Sequence, residues 1–454
     1  MDDFEEGFGR YALKLTDELF HTTAPSSMSA MERRMRERML ELGRLLLRAW
    51  LADQEERYPA ETVPCACGAR AVYERRREGV LHTTLGTVRY QRAYYLCPAC
   101  HQGQYPLDQR LGLRPGEMSA ELESLVGMTG ALVPFEKGSQ FFERLTLVGI
   151  SPQSMDKATE AMGTEVMAVE AEQIAASQDE GQLAAEAQAA PEGERLYGTL
   201  DAVKVHCREK RDAEDEGWRD LKAGAWFHTE APPPATPEDS WEIQARDISY
   251  YCDFGEASAF GALLWARGYA RGALRAREVV FIGDGAEWIW NLVAEHYPQA
   301  TQIVDWFHAR ERLGVVAKAA IRDGAEQARW LERVRGLLWE GRVEEVLAAL
   351  GALPGAEEVG NEVHKAIHYF SAHRARMHYA AFRAQGYQIG SGTIESACKQ
   401  LGILRMKVPG ATWSTEGARR TAKARAAFLS DQWDEVAARS EERRGGKECR
   451  SRWS

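Results

Sequence analysis

The middle of the chain alternates apolar and polar residues with the period of β-strands and then changes to the longer period of helices. Five segments are predicted strands: 197–207, 221–229, 246–254, 278–283 and 301–305. Three segments between and after them are predicted helices: 256–268, 286–296 and 306–321. Three strands in succession and then a strand–helix–strand unit predict an α/β fold, with a mixed sheet flanked by helices.

The rest of the chain is predicted to be mainly helical. Residues 1–60 and 115–165 have helical spacing, and an all-helical insertion is expected from about 322 to 385. Residues 393–404 and 415–429 are predicted closing helices. Residues 166–196 have few apolar anchors and are expected to be a linker, and the tail from 431 is expected to be disordered.

Charge is unevenly distributed along the 454 residues, whose net charge is −11. Residues 65–115 contain eight arginines against three acidic residues, and residues 399–425 contain seven lysines or arginines against Glu416. Local patches decide where phosphates bind, so the acidic total does not exclude nucleic acid. No apolar run is long enough for a membrane span, and the acidic start does not resemble a signal peptide, which together favour a cytoplasmic protein without a membrane partner.

Four cysteines form two close pairs on either side of a predicted hairpin. Cys65 and Cys67 make a C-x-C pair, and Cys97 and Cys100 make a C-x-x-C pair. Two such knuckles joined by a hairpin are typical of a zinc ribbon, in which four thiolates hold a structural Zn²⁺. Four buried free thiols are the alternative, which the paired spacing makes less favourable.

The hairpin between the cysteine pairs interleaves aromatic residues with arginines, as surfaces that contact phosphates do. The arginines are Arg75, Arg76, Arg77, Arg89 and Arg92. A solvated strand face would have a similar pattern. Downstream, a helix ending near Leu145 is followed by a turn and by Ser151-Pro152, a strong helix start, so residues 113–165 are predicted to contain a helix-turn-helix, although other packed helix pairs share this layout.

Three acidic residues have settings that suit metal ligands. Asp201 lies in an alternating strand, Asp284 ends an apolar strand before a glycine turn, and Glu395 lies at the glycine-flanked start of a helix. Carboxylates are preferred ligands of Mg²⁺ and Mn²⁺, and two such ions about 3.5–4 Å apart cleave and join phosphodiesters. A strand Asp is also a common cap or turn former, especially Asp284 before Gly285. The three together favour the metal site.

A second group of polar residues follows the last predicted strand and the last acidic motif. Asp305 could cap the helix that begins after it, and His308, one turn later, could contact Asp305 or the metal site. The capping role and the catalytic role are about equally favoured by the pattern. Arg405 and Lys407 follow Glu395 and are candidate phosphate ligands.

Four ordered blocks of sequence carry a family resemblance that covers about residues 60–430. Residues 198–201 and 283–285 match two acidic positions, residues 305–308 resemble a C/D-x-x-H box, and residues 390–397 with the downstream basic residues resemble a C-terminal block. These blocks resemble bacterial insertion-sequence transposases of the Kra type, relatives of Mutator-like DDE transposases.

The resemblance implies a ribonuclease H-like catalytic domain, with Asp201, Asp284 and Glu395 as Mg²⁺ ligands and His308 beside them. It implies binding of terminal inverted repeats and target DNA, strand cleavage and strand transfer, a homodimer or higher oligomer, and a bacterial, nucleoid-associated location. Six parts are therefore expected: an N-terminal helical region (1–60), a zinc-ribbon-like part (61–112), a helix-turn-helix-like part (113–165), a linker (166–196), the catalytic domain with its helical insertion (197–430) and the tail (431–454).

Two alternatives to a transposase remain open. One is a metal-dependent nuclease of the same fold that hydrolyses DNA without strand transfer. The other is a domesticated DNA-binding protein that keeps only the ribbon and the helix-turn-helix. The presence of Asp201, Asp284 and Glu395 argues against the second.

Overall fold

The computed structural model describes residues 9–11, 13–14, 16–18, 27–56, 61–181, 183, 193–210, 212, 214–230, 243–358 and 360–444. The chain divides into two compact units, residues 1–165 with 433–454 and residues 166–432. The strands are β1 (Thr62–Pro64), β2 (Arg70–Thr83), β3 (Gly86–Leu96), β4 (Gly103–Gln104), β5 (Arg195–His206), β6 (Trp218–Thr229), β7 (Ala245–Phe254), β8 (Glu278–Gly283) and β9 (Thr301–Val304).

The helices up to residue 270 are α1 (Met28–Glu56), α2 (Pro106–Leu111), α3 (Ala120–Leu132), α4 (Phe135–Thr146), α5 (Pro152–Ala176) and α6 (Ala257–Ala270). Those that follow are α7 (Glu287–His296), α8 (Trp306–Ala320), α9 (Gly324–Trp339), α10 (Val343–Gly351), α11 (Glu362–His373), α12 (Tyr379–Ala384), α13 (Gly392–Cys398), α14 (Leu404–Met406), α15 (Thr415–Leu429) and α16 (Trp433–Arg444).

An antiparallel four-stranded sheet in the order β1-β2-β3-β4 organises the first unit. Strands β2 and β3 form the long hairpin that the sequence predicts between the cysteine pairs, and α1 packs against β3. Leu51 of α1 is buried with Leu81, Val88 and Tyr90 of the hairpin, because these apolar side chains share one face of the sheet. A second small core surrounds Tyr95.

Helices α3, α4 and the first part of α5 form a further core in the same unit, around Leu122, Phe142 and Met155. The Ser151 hydroxyl accepts a hydrogen bond from the backbone N–H of Ser154 at 3.1 Å, which confirms the predicted start of α5. This helix continues to Ala176, so the predicted linker is wrong over residues 166–176, where Glu170 is buried and binds Lys423. Residues 182 and 184–192 of that segment lie outside the described residues.

The expected disordered tail is wrong over residues 433–444, which form α16. Trp433 is only 4% exposed, and its indole N–H donates to the Ser124 hydroxyl at 2.9 Å. Burial of one large aromatic side chain with a satisfied N–H gives this polar helix its anchor. Residues 445–454 lie outside the described residues.

A mixed five-stranded sheet in the order β7-β6-β5-β8-β9 organises the second unit. Strands β5, β6 and β7 are antiparallel neighbours, whereas β8 and β9 run parallel to β5. All five predicted strands are confirmed to within three residues at each end, as are the predicted helices that became α6, α7 and α8. Mixed α/β structure with helices flanking the sheet is therefore confirmed.

The helices of the second unit cover the sheet and build one large core. Trp226, Phe281 and Tyr297 form an aromatic cluster inside it, with ring centroids 5.2–5.3 Å apart. The segment from 322 to 385 contains helices α9–α12, and their buried residues join the same core. No helix in the described part of the chain is both long enough and apolar enough to span a membrane.

Candidate functional site

Three aspartates lie at the same level on three neighbouring parallel strands: Asp284 and Asp305 directly follow β8 and β9, and Asp201 lies within β5, just beyond the part that pairs with β8. Thr199 of β5 pairs with Ile282 of β8, so that two residues further along each strand Asp201 and Asp284 reach the same level. Gly283 pairs with Val304 of β9, so the next residue on each strand brings Asp284 beside Asp305. Because adjacent strands lie about 4.8 Å apart, the sheet concentrates three carboxylates at one edge. Ligands commonly bind at this edge of α/β sheets.

Asp201 lies in a largely desolvated setting at this edge. Burial is the main reason that the pKa of Asp201 is raised, and the charge of Asp284 raises it further, while the backbone N–H of Ala202, 2.6 Å from Asp201 Oδ1, opposes the shift. The Cys398 thiol donates a hydrogen bond to Asp201 and is buried behind it. Asp201 is therefore held between its own strand and α13.

Asp284 is fixed by a tight turn that requires glycine at the next position. Gly285 has a φ of +100°, and a Cβ there would lie 2.6 Å from the Tyr369 ring of α11. The Tyr369 hydroxyl donates to the Asp284 carbonyl at 3.0 Å, and the Asp284 carboxylate accepts from the Ala286 N–H at 2.8 Å. Asp284 thus has the predicted turn-forming contact, and its position also depends on α11.

Asp305 connects three elements of the site through one buried carboxylate. Its Oδ1 accepts from the His308 N–H at 2.6 Å, which caps α8, and lies 3.2 Å from His308 Nδ1. Its Oδ2 accepts from the Ser391 N–H in the loop before α13. Burial alone would raise the pKa of Asp305, but the hydrogen bonds from His308 and Ser391 outweigh burial and lower it. Both roles left open for Asp305 and His308, capping and contact with the site, are present together.

Glu395 reaches the same edge from α13. Its Oε1 lies 4.0 Å from His308 Nδ1, and its side chain is 54% exposed. Helix α13 packs against β5 and β6, and the π-helical turn Lys399–Ile403 that follows it crosses β5 closely. A Cβ at Gly402 would lie 2.3 Å from Val203 Cγ1, so glycine is required for this approach. Glu395 is thereby placed beside the ends of β8 and β9, close to His308.

His308 is the cationic group among these carboxylates. The hydrogen bond to Asp305 is the largest reason that the pKa of His308 is raised to about 9, and the charges of Asp305, Asp284 and Glu395 add to it despite burial. A protonated imidazole therefore offsets part of the negative charge at neutral pH. Four carboxylates around this cation still leave an excess of negative charge that a bound divalent cation would reduce.

The three residues whose side chains are close enough to share one metal ion are not the three that the sequence predicts. Among the described residues, Asp305, His308 and Glu395 each offer one ligand atom within 4.8 Å of the others, and Asp201 and Asp284 are outside this group. The oxygen and nitrogen donors of the group could bind a divalent metal only with His308 deprotonated, because an imidazolium has no free lone pair. Asp201 and Asp284 lie at the level of this group on the neighbouring strands β5 and β8.

Arg405 does not have the accessible position expected of a phosphate ligand. Its side chain is only 2% exposed, and its guanidinium lies 5.0 Å from the centre of the Trp413 ring. Its assignment to a DNA surface is therefore corrected, because a buried guanidinium stacked on an indole cannot reach a phosphate of bound DNA. Lys407, two residues later, is exposed.

The four predicted zinc ligands converge at one end of the first sheet. The Sγ atoms of Cys65 and Cys100 lie 3.6 Å apart, as do those of Cys67 and Cys97, and all four sulfurs lie within 4.8 Å of one another. Four thiolates around a tetrahedral ion with bonds of about 2.3 Å would have similar spacing. Backbone N–H groups, that of Cys100 above all, lower the pKa of Cys97 to about 6, which favours the thiolate that binds metal. The cluster could hold zinc.

The arginines of the hairpin fall into two groups. Arg75, Arg76 and Arg89 are exposed, although Arg89 forms an ion pair with Glu78 at 2.6 Å. Arg77 and Arg92 are half-buried and stack on the rings of Tyr94 and Tyr105 at 3.8 and 3.9 Å. Arg92 also binds the buried carboxylate of Asp108. Of these two sets, only the exposed arginines are accessible to a ligand from solvent.

Two residues that surround the strand ends are not identified by the sequence pattern as part of the site. The pattern places Tyr369 in the core of the helical insertion, and nothing in a helical period indicates that its hydroxyl binds the Asp284 carbonyl. Cys398 lies three residues after Glu395, one helical turn away, and this spacing is the signal that could have placed it on the same face.

No protein-family model and no curated protein sequence matches this chain. Among solved structures, the chain is similar to the Drosophila P element transposase strand transfer complex, with a TM-score of 0.24 and 9% sequence identity. The alignment covers 72% of this chain and 83% of that chain. Similarity at this level carries no argument about the activity of this protein.

Replacing Asp305 with Asn should lower the pKa of His308 from about 9 toward its ordinary value of 6.5, because the hydrogen-bonded charge that raises it is removed. The favourable interaction of His308 is fully present below pH 6.5 and disappears as the pH rises through 9, so the variant should lose stability mainly in the lower range. The measurement is an NMR titration of labelled histidine in metal-free protein, with the signal assigned by His308→Gln.

Asp323→Asn is the matched control, because Asp323 caps α9 through the same kind of bond to a backbone N–H. It should leave the His308 titration unchanged. A midpoint for His308 near 9 in Asp305→Asn would show that Asp305 does not set the protonation of this histidine.

The purified protein should contain one zinc ion per chain, and replacement of Cys67 or Cys100 by Ser should remove it. Release of the ion should unfold the sheet end around Tyr95, since metal binding free energy contributes directly to folding of so small a core. Metal analysis and proteolysis of the hairpin measure the two effects. Cys207→Ser, a buried thiol of the second unit, should retain the ion; four freely reactive thiols in the wild-type protein would contradict the zinc centre.

Proposed function

We propose that this protein is a DNA transposase of the ribonuclease H-like, DDE type, encoded by a bacterial insertion sequence. The observation that carries the proposal is the placement of Asp201 of β5 level with Asp284 at the end of the parallel strand β8, with Glu395 of α13 4.0 Å from His308. The sequence blocks that contain these three residues are those that resemble Kra-type and Mutator-like transposases. The mixed sheet order, with three antiparallel strands followed by two parallel ones, agrees with such a fold.

Asp201, Asp284 and Glu395 would hold Mg²⁺ or Mn²⁺ through carboxylate oxygens. Burial, and to a smaller extent the charge of Asp284, raise the pKa of Asp201, and a bound cation would favour the ionised carboxylate. When bound, a pair of ions would activate the attacking oxygen and neutralise the leaving oxygen of a phosphodiester.

His308 and Asp305 complete the proposed site. Asp305 holds the imidazole by its Nδ1 and the loop before Glu395 by the Ser391 N–H, so it acts as a positioning residue. Protonated His308 faces the carboxylates and can donate its remaining N–H to an oxygen of the phosphate or of Glu395. His308 thereby stabilises negative charge next to the reacting phosphodiester.

The first unit would bind DNA and the second would carry out the chemistry. We assign phosphate contacts to the exposed Arg75, Arg76 and Arg89, and assign Arg77 and Arg92 to the rigid support of that surface, since both stack on tyrosines. The zinc ribbon would present the hairpin. Helix α4, the turn after Leu147 and helix α5 would form a helix-turn-helix that reads the terminal inverted repeats.

Further parts of the proposal follow from the family resemblance. The domain division at about 60, 112, 165 and 196, the helical insertion and a homodimer or higher oligomer are retained as predictions. So is a cytoplasmic, nucleoid-associated location, where both the element ends and the target DNA are found. Lys407 remains a candidate contact to target DNA because it is exposed.

Replacing Asp201 or Asp284 by Asn, or Glu395 by Gln, should reduce Mg²⁺-dependent cleavage of element-end DNA by at least about a thousandfold while DNA binding is retained, because removal of a metal ligand removes stabilisation of the transition state. Cleavage and gel-shift assays measure the two properties. Asp220→Asn is the control, since Asp220 is an exposed carboxylate paired with Lys204 on the same sheet. A variant with near-normal cleavage would remove its residue from the site.

Strand transfer separates a transposase from a nuclease of the same fold. Precleaved element ends with free 3′-OH groups should be joined to plasmid DNA by the wild-type protein and by Asp220→Asn. Hydrolysis without joining would favour the nuclease. Binding without any metal-dependent cleavage would favour the domesticated DNA-binding protein.

Replacing Arg75 and Arg76 together by Ala should weaken binding to all DNA sequences equally, because phosphate contacts carry no sequence information. The slope of log affinity against log salt should fall by roughly 0.9 for each phosphate that the variant no longer neutralises. The control Arg33→Ala alters an exposed arginine of α1 and should leave the slope unchanged. An unchanged slope in the double variant would place the phosphate-binding surface elsewhere.

A further inference from the structure

A groove beside the candidate site runs between helices α8 and α11. It has a volume of about 240 Å³ and begins at His308, the residue next to Glu395. Arg312 lies one helical turn after His308 and lines the same groove. The groove therefore continues directly from the carboxylates into the helical part of the second unit.

Arg312 is held in a fixed place relative to the strand ends. Its guanidinium carbon lies 4.2 Å from the centre of the Tyr369 ring, and the Tyr369 hydroxyl donates to the Asp284 carbonyl at 3.0 Å. The ring also packs against Gly285, where no side chain would fit. A cation stacked on an anchored aromatic ring loses less side-chain entropy when it binds a ligand.

Arg312 is the cation of the groove that is best placed to bind an anionic ligand. Lys365 is paired with Glu362 at 2.8 Å, so these two residues largely neutralise each other. Glu311 is an exposed acidic residue on the rim. Val316 and Ala366 line the groove with apolar surface, which suits the sugar of a nucleotide better than it suits a free ion.

We propose that this groove binds the DNA strand that leaves the active site, with Arg312 contacting a phosphate close to the scissile one. The proposal rests on the proposed function and names a further subsite of it. A polynucleotide bound at the carboxylates must continue in both directions, and the groove provides a path that starts at His308. A planar guanidinium can bind a phosphodiester through two parallel N–H donors, and stacking through its face keeps the donors at its edge directed outward.

The first test compares DNA binding by full-length Arg312→Ala and Arg329→Ala in the presence of Ca²⁺, with mixed-sequence oligonucleotides as the probe. Arg329 is an exposed arginine of α9, so both variants lose one positive charge from the helical part. Arg312→Ala should lower the slope of log affinity against log salt by roughly 0.9, and Arg329→Ala should not. Equal slopes in the two variants and the wild type would overturn the proposal.

The second test identifies the phosphate. Single methylphosphonates, which lack the phosphate charge, are placed in turn at positions flanking the cleaved bond. One substitution should slow cleavage by the wild-type protein about tenfold and have no further effect on Arg312→Ala, because the two changes remove the same interaction. Additive effects at every position would overturn the assignment of Arg312 to a phosphate.

Two substitutions of Tyr369 test its stacking on Arg312, because one keeps the aromatic ring and the other removes it. Tyr369→Phe keeps the ring beneath Arg312, so it should retain the salt slope, whereas Tyr369→Leu should lower it as Arg312→Ala does. Retention of the slope by Tyr369→Leu would show that the ring does not position Arg312. If the wild-type protein neither bound nor cleaved DNA, the proposed function itself would be wrong. If the wild-type protein were active and Arg312→Ala had no effect on DNA binding, only the proposed groove would be wrong.

Discussion

The buried carboxylate of Asp305 is the interaction on which the candidate site depends. A charge with no exposed surface is costly unless hydrogen bonds replace its hydration, and Asp305 receives such bonds from His308 and from the Ser391 N–H. These bonds connect the end of β9 to the first turn of α8 and to the loop that leads into α13. Together with the packing of α13 against β5 and β6, this connection places Glu395, whose own side chain is 54% exposed.

The parallel part of the sheet sets the second constraint. The parallel pairing of β5, β8 and β9 brings Asp201 within β5 to the same level as the residues that follow β8 and β9, whatever their chemistry. Three aspartates in those positions repel one another, and the raised pKa of Asp201 reflects burial together with this repulsion. Apolar or neutral residues would be more stable in these positions, which makes the clustered carboxylates a candidate functional site.

Rigid support for this edge comes from buried polar contacts elsewhere in the second unit. Lys423 of α15 is 1% exposed and binds the carboxylates of Glu170 and Asp253, which join α15 to α5 and to β7. Burying this cation requires both partners, so the network specifies one arrangement of the three elements. In the first unit, zinc bound by the four clustered thiols would have a comparable role, because the core around Tyr95 is small.

The sequence by itself determined the strands, most helices and the residues whose roles depend on local pattern. Period-two alternation placed β5–β9, paired cysteines indicated the cluster, and Ser151 marked the start of α5, because each signal is carried by neighbouring residues. Only the tertiary structure decided that Asp305 binds Ser391, that Tyr369 holds the Asp284 turn and that Arg405 is buried against Trp413. The first two contacts join residues 85 or more positions apart, and the burial of Arg405 depends on how the closing helices pack. Local periodicity contains no information about such partners, which are set by the crossing of strands and helices in the folded core.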